Sequence, residues 1–177
     1  MTPSFDIILC DMQPALVRAW EQAFAPFPEV VIEQGDLLEV EADAYVSPAN
    51  SYGIMDGGID LALSTRFPRI EKRVQEAIAG VDILLPVGQA LVVETEDGYV
   101  SYLVCAPTME VPSHVGHTNN AFRAMLALLK AVEKFNAANE EPITSVGIPG
   151  LCTGVGGMEP AVAAQQMALA YAEWSGQ

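Results

Sequence analysis

The chain has 177 residues, 51% of them hydrophobic, and a formal net charge of −15 at neutral pH. That length reads most simply as one domain over residues 1–177 with a sizeable core, and the hydrophobic share excludes a disordered chain. No apolar run approaches the roughly 18 residues of a bilayer span, and so acidic a chain excludes binding through a nucleic-acid backbone, which needs Lys and Arg to neutralise phosphates.

The first residues, M-T-P-S-F-D-I-I-L-C-D, lack a basic leader and meet an acid soon after a brief apolar run, so no signal peptide is expected. Cys10, Cys105 and Cys152 are odd in number and far apart, which suits reduced thiols in a cytoplasm.

Residues 5–9 read as a first strand. Pro14 fits the first position of a helix, where its missing N–H leaves nothing unpaired, and Leu16, Val17, Trp20 and Phe24 follow at helical spacing. Pro26 and Pro28 end that helix. A second strand over 29–34 delivers Asp36 to its end. A third, over 43–47, runs into Ser-Pro-Ala-Asn, where Pro48 and Asn50 favour leaving a ladder. A loop holding Gly53, Gly57 and Gly58 then feeds a helix from about Ile59 toward Thr65. Pro68 breaks it, and a second helical piece covers 70–78.

Residues 88–95 are apolar and β-branched enough for a strand. Asp97-Gly98 is a hairpin signal, and 99–105 returns as the partner. A loop over 108–117 holds Pro112 and Gly116. Thr118 or Asn119 caps the next helix, to which Phe122, Met125, Leu126, Leu129, Val132 and Phe135 give a wide apolar face. Residues 143–149 form the last strand, a second glycine loop follows, and a helix runs over 159–174. This alternation predicts an α/β sheet covered on both faces, and the 95–100 hairpin makes the sheet mixed.

Gly147, Gly150, Gly154, Gly156 and Gly157 crowd into the second strand-to-helix connection. Two readings stand: a tight turn that needs positive φ, or exposed amides at a helix start that suit an anion. Neither loop is a P-loop, because no Gly-Lys-Ser/Thr occurs, and neither carries G-x-G-x-x-G at a strand end. By pattern alone Asp36 is a turn or cap residue, and Asp60 is a first-turn acid favoured by the helix dipole. Asp11, close after a strand, faces a loop or turns the chain. Cys152 reads as a small packed residue rather than a nucleophile. His114 and His117 lack enough companion ligands for a metal, so no metal and no cofactor is expected. The basic run from Arg66 to Arg73 reads as one solvated helix face.

Taken in order, G-D-L at 35–37, D-A-Y-V-S-P-A-N at 43–50, G-G-I-D at 57–60 and I-P-G-L-C-T-G-V-G at 148–156 resemble the macrodomain family, the ADP-ribose-binding module. The likeness extends from about Val31 to Ala172. Ala106-Pro107-Thr108-Met109 and Val111-Pro112 are similar to its bacterial and phage-associated branch, and imply a wall beside the ligand. The resemblance implies a three-layer α/β/α sandwich. It also implies that Asp36 accepts from the adenine amino group with the neighbouring Leu37 N–H completing the contact. Gly57, Gly58 and Ile59, with Thr153, Gly154, Val155, Gly156 and Gly157, would then hold the diphosphate. Asn50 and Asp60 match members that hydrolyse ADP-ribosyl groups: Asn50 would orient the distal ribose, and Asp60 would orient or activate the attacking water.

The chain departs from the pattern at Asp56, where a glycine is common, and at Gly156, where many members carry an aromatic; Tyr52 is the candidate replacement ring. Three functions therefore share these motifs. One binds ADP-ribose or a related nucleotide and hydrolyses ADP-ribosyl esters or ADP-ribose 1''-phosphate. The second is a reader without turnover. The third is a ligand-free scaffold acting through protein contacts.

Overall fold

A computed structural model of the protein describes residues 4–177; the first three residues, read above for a leader, lie outside the described residues. The strands are β1 (Asp6–Asp11), β2 (Val31–Gln34), β3 (Ala44–Ser47), β4 (Leu91–Glu94), β5 (Tyr102–Cys105) and β6 (Ser145–Ile148). The helices are α1 (Pro14–Ala23), α2 (Gly58–Arg66), α3 (Ile70–Ala79), α4 (Asn120–Ala138) and α5 (Pro160–Ser175). The strands form one sheet in the order β2-β1-β6-β3-β5-β4, parallel throughout except for the antiparallel β4–β5 pair. The mixed sheet with helices on both faces is the expected three-layer α/β/α architecture.

Side-chain alternation along the strands builds both cores. Ile7, Leu9, Ala44, Val46, Val104, Val146 and Ile148 turn to the face covered by α1, α4 and α5. Cys10, Tyr45, Leu103 and Cys105 turn to the opposite face, under α2 and α3. Gly147 sits on that second face, where a β-carbon would lie 3.0 Å from Leu37 and 3.1 Å from Tyr45. The Tyr45 ring thus fills the space a β6 side chain would use, and its hydroxyl donates to the Val40 carbonyl at 2.6 Å.

Several elements differ from expectation in instructive ways. Most strands are shorter than expected, as when 29–34 becomes Val31–Gln34, where pairing with β1 begins only at Val31 opposite Ile8, whereas the first, expected over 5–9, runs on to Asp11. The Asp97-Gly98 hairpin is real but is no tight turn: Asp97 Oδ1 accepts from the Tyr99 and Val100 N–H groups inside a wider loop. The basic run is a clamp as well as a solvated face: Arg66 bonds Asp97 at 2.7 Å and Arg73 pairs with Glu96, both on the β4–β5 loop. On α4 the fully buried positions are Ala121, Ala124, Met125, Leu128, Leu129 and Val132, while Phe122, Leu126 and Phe135 are only half-buried. Small residues there and at Ala163, Ala164 and Ala170 of α5 let the two helices approach closely. Asn119 holds the cap position of α4 without a side-chain bond, and Thr118, one residue earlier, accepts through Oγ1 from the Asn120 N–H at 3.2 Å.

Because Gly147 has no room for a side chain, Gly147→Val is expected to overpack that face. A loss of about 1–3 kcal/mol should appear as a lower urea midpoint with an unchanged slope.

Candidate functional site

The carboxyl ends of β1, β2, β3, β5 and β6 open into one cleft of about 440 Å³. This is the edge where open α/β sheets place ligands, because the chain leaves every parallel strand there as a loop. The cleft is lined by residues following each of those strands: Asp11, Asp36, Asn50, Thr108 and Gly150 among them.

Two of its walls come from far apart in the chain. Gly57, Gly58, Ile59 and Asp60 lie at the start of α2, and Thr153, Gly154, Val155 and Gly156 lie in the loop after β6. Among the described residues, no protein acceptor takes the N–H groups of either set. The first set includes orphan donors intrinsic to a helix start. Gly58 has φ +55 and Gly57 is extended at φ −151, so the chain turns into α2 with backbone exposed. The second loop is fixed from below. Asp11 accepts from the Gly150 N–H at 3.0 Å and from the Gln13 N–H at 2.9 Å, tying it to the start of α1. Met158 donates to the Cys152 carbonyl at 2.9 Å, closing the turn around a Cys152 with φ +67.

Each expected site residue can now be placed. Asp36, Leu37, Asn50, Gly57, Gly58, Ile59, Asp60, Thr153, Gly154, Val155 and Gly156 all line the cleft. Gly157 does not, and its N–H is taken by the Gly154 carbonyl at 3.1 Å. Asp36 is exposed; its Oδ1 accepts from the Leu38 N–H at 2.9 Å, capping the 3-10 turn Leu37–Glu39, and Oδ2 has no protein partner among the described residues. The cap reading of Asp36 thus holds through Oδ1. Asn50 is turned inward. Its Oδ1 accepts from the Tyr52 and Ile54 N–H groups, and its Nδ2 donates to the Ile54 carbonyl at 2.8 Å. One Nδ2 hydrogen remains, so its first task is to shape the loop.

A model of the Macro domain matches residues 46–167. The chain belongs to the Macro domain family. A protein of Aeropyrum pernix is 36% identical over 141 residues, spanning 80% of this chain and 69% of that one. The DNA ADP-ribosyl glycohydrolase of Mycobacterium tuberculosis is 26% identical over 142 residues, 77% of this chain and 37% of the relative. The solved macrodomain of Mycobacterium tuberculosis DarG has a TM-score of 0.67 at 23% identity, covering 80% of this chain and 88% of that one. A Trypanosoma brucei macrodomain in complex with ADP-ribose gives 0.59 at 19%, covering 78% and 56%. At such identities the two structures speak to the fold.

The departures from the macrodomain pattern have structural causes. An aromatic side chain at Gly156 is excluded, because a β-carbon there would lie 2.6 Å from the Cys152 carbonyl oxygen and 2.8 Å from Val115. Val115 donates its N–H to the Gly156 carbonyl at 2.8 Å, so the loop over 108–117 packs where a ring would stand. The same loop contributes Thr108, Met109 and Pro112 to the cleft wall. Tyr52 does not line the cleft; Ile54 does. Cys152 fits the packed reading, since burial pushes its thiol up to about 12. His114 and His117 are exposed, and no group of metal-ligating side chains occurs among the described residues. No described helix is long and apolar enough to cross a membrane.

Asp60 is the unusual member. It occupies the first turn of α2, yet it is only 9% exposed and accepts from Ser47 Oγ at 2.5 Å. Burial pushes its carboxyl up to about 6 from 3.8, with the nearby Asp56 charge adding to the rise and the Ser47 bond opposing it. Desolvation thus outweighs the Ser47 hydrogen bond. Ser47 escaped the sequence reading; its signal was one hydroxyl in the wholly buried strand A-Y-V-S.

A raised carboxyl pKa means that the folded state holds the proton more tightly than the unfolded chain. Stability therefore falls as pH rises from 3.8 to about 6. Asp60→Asn should be more stable than wild type at pH 7.5, by an amount of order 3 kcal/mol. Urea denaturation should show that gain vanish at low pH, where both chains are neutral at this position.

Proposed function

We propose that this macrodomain binds ADP-ribose, free or as an ADP-ribosyl group on a substrate, with the diphosphate between the α2 start and the loop after β6. One observation carries this reading: two sets of unpaired backbone N–H groups line one cleft whose walls contain no Lys, Arg or His. Amides at a helix start suit an anion at contact distance, and they do so without a cation. Asp36 supports adenine at one end, because Oδ2 is left to accept from an exocyclic amine. The solved Trypanosoma brucei macrodomain with ADP-ribose lends the same ligand by family likeness.

Turnover is a second step of the proposal, favoured by Asp60. A buried carboxylate poised at about 6 suits a general base near neutral pH. In an ADP-ribosyl ester, water attacks the anomeric carbon, a C–O bond forms, and the bond to the departing carboxylate breaks. Asp60 takes the proton that the water releases. ADP-ribose 1''-phosphate would be cleaved with the phosphate as leaving group. The glycohydrolase name of the Mycobacterium tuberculosis relative agrees with this class of chemistry. Exposed Asp56 beside the proposed diphosphate site is the feature that favours a reader without turnover.

Calorimetry with ADP-ribose is expected to give saturable binding; no heat at millimolar ligand would sink the reading and leave the scaffold. Asp36→Asn keeps the cap on Leu38 but replaces the free acceptor by a donor. It should weaken ADP-ribose by about tenfold or more while leaving ribose 5-phosphate binding unchanged. Asp60→Ala should abolish release of ADP-ribose from an ester-linked substrate with binding retained, and wild-type turnover should rise with pH through about 6. Binding with no turnover by wild type leaves the reader.

A further inference from the structure

Ser47 closes β3 on the face that carries Tyr45 and Cys105, and its side chain is 1% exposed. Its backbone is held by the sheet: it pairs with Cys105, and its carbonyl accepts from the Ala106 N–H at 3.0 Å. The hydroxyl has one partner, Asp60 Oδ1, thirteen positions on. A hydroxyl buried with a single acceptor costs stability unless that bond is made. Here it reaches across from the rigid sheet to the first turn of α2. Asp60 Oδ2 has no protein partner among the described residues, and Asp60 lines the cleft.

We infer that Ser47 is a positioning residue for Asp60: by holding Oδ1 with a donated hydrogen bond, it selects Oδ2 as the oxygen that meets substrate and exchanges the proton. Ser47 acts through Asp60 and does not itself line the cleft. The inference rests on the proposed hydrolysis for its catalytic consequence, but the Ser47–Asp60 bond and its effect on ionisation do not. A short O–H···O bond of this kind strengthens when the acceptor is ionised, so the hydroxyl favours the carboxylate over the acid. The other groups that face Asp60 oppose it. Asp56, on the loop before α2, raises its carboxyl by charge repulsion. The Cys105 thiol on β5 is pushed far up by burial and, neutral, supplies no charge. Ser47 is therefore the one neighbour on the sheet that offsets burial.

The test is a carbon-13 titration of the aspartate carboxyls, with the Asp60 signal assigned by its loss in Asp60→Asn. Ser47→Ala should move the Asp60 midpoint upward by about one unit, the size expected for a lost charge-assisted bond. Ser47→Thr, which keeps the hydroxyl, should restore it. Ser47→Cys, nearly isosteric but a weaker donor, should fall between and covers the case in which the alanine variant does not fold. ADP-ribose affinity should stay within about threefold of wild type, while the acid limb of ester turnover moves with the carboxyl midpoint. A midpoint that stays still or falls in both Ser47→Ala and Ser47→Cys overturns the inference. Absence of turnover in wild type instead defeats the hydrolase reading, and the titration still decides whether Ser47 governs Asp60.

Discussion

The cleft is lined by two distant turns whose backbone N–H groups have no protein acceptor among the described residues, and no cationic side chain lines it. Everything else in the molecule serves to hold those turns opposite each other. An acidic protein of net charge −15 has little long-range pull on an anion. Charges beyond about 8 Å are largely screened at physiological salt, whereas an amide in contact with an oxygen is not. The constraint is therefore positional. If the start of α2 and the loop after β6 drifted apart, no side chain in the cleft would compensate.

The sheet supplies that position. Four adjacent strands, β1, β6, β3 and β5, run parallel and end at the same edge, so the loops that follow them are neighbours whatever their sequence separation. Contacts that cross between these loops then fix them. Asp11 reaches the second glycine loop from the end of β1, and Val115 ties the 108–117 loop to Gly156. Asn50 folds the first loop on itself through the Ile54 backbone. Donors held in place this way need little reorganisation when charge arrives.

Asp60 shows the cost of the arrangement. A carboxylate near a helix start is ordinarily favoured by the dipole, yet burial here raises its pKa despite the Ser47 bond. The sheet answers with Ser47, placed by strand alternation on the one face from which it can reach the α2 turn. Stability is given up where chemistry is proposed, while both cores are otherwise filled by aliphatic and aromatic side chains.

Much of this was legible in the residues alone. Proline and glycine punctuation located the elements to within a few positions, and apolar alternation gave the two-sided sheet, because both are local consequences of backbone sterics. The ordered motifs placed Asp36, Asp60 and the two glycine loops on one family plan, and these line one cleft. Other features depended on residues brought together from across the chain. Asn50 shapes its own loop, Gly156 is crowded by Val115, Tyr52 does not line the cleft, and the Arg66 and Arg73 side chains clamp a distant hairpin. Local spacing determines which backbone shape a segment prefers. Which side chain then meets which partner is a matter of long-range packing, and only the folded sheet decided that Ser47 would face Asp60.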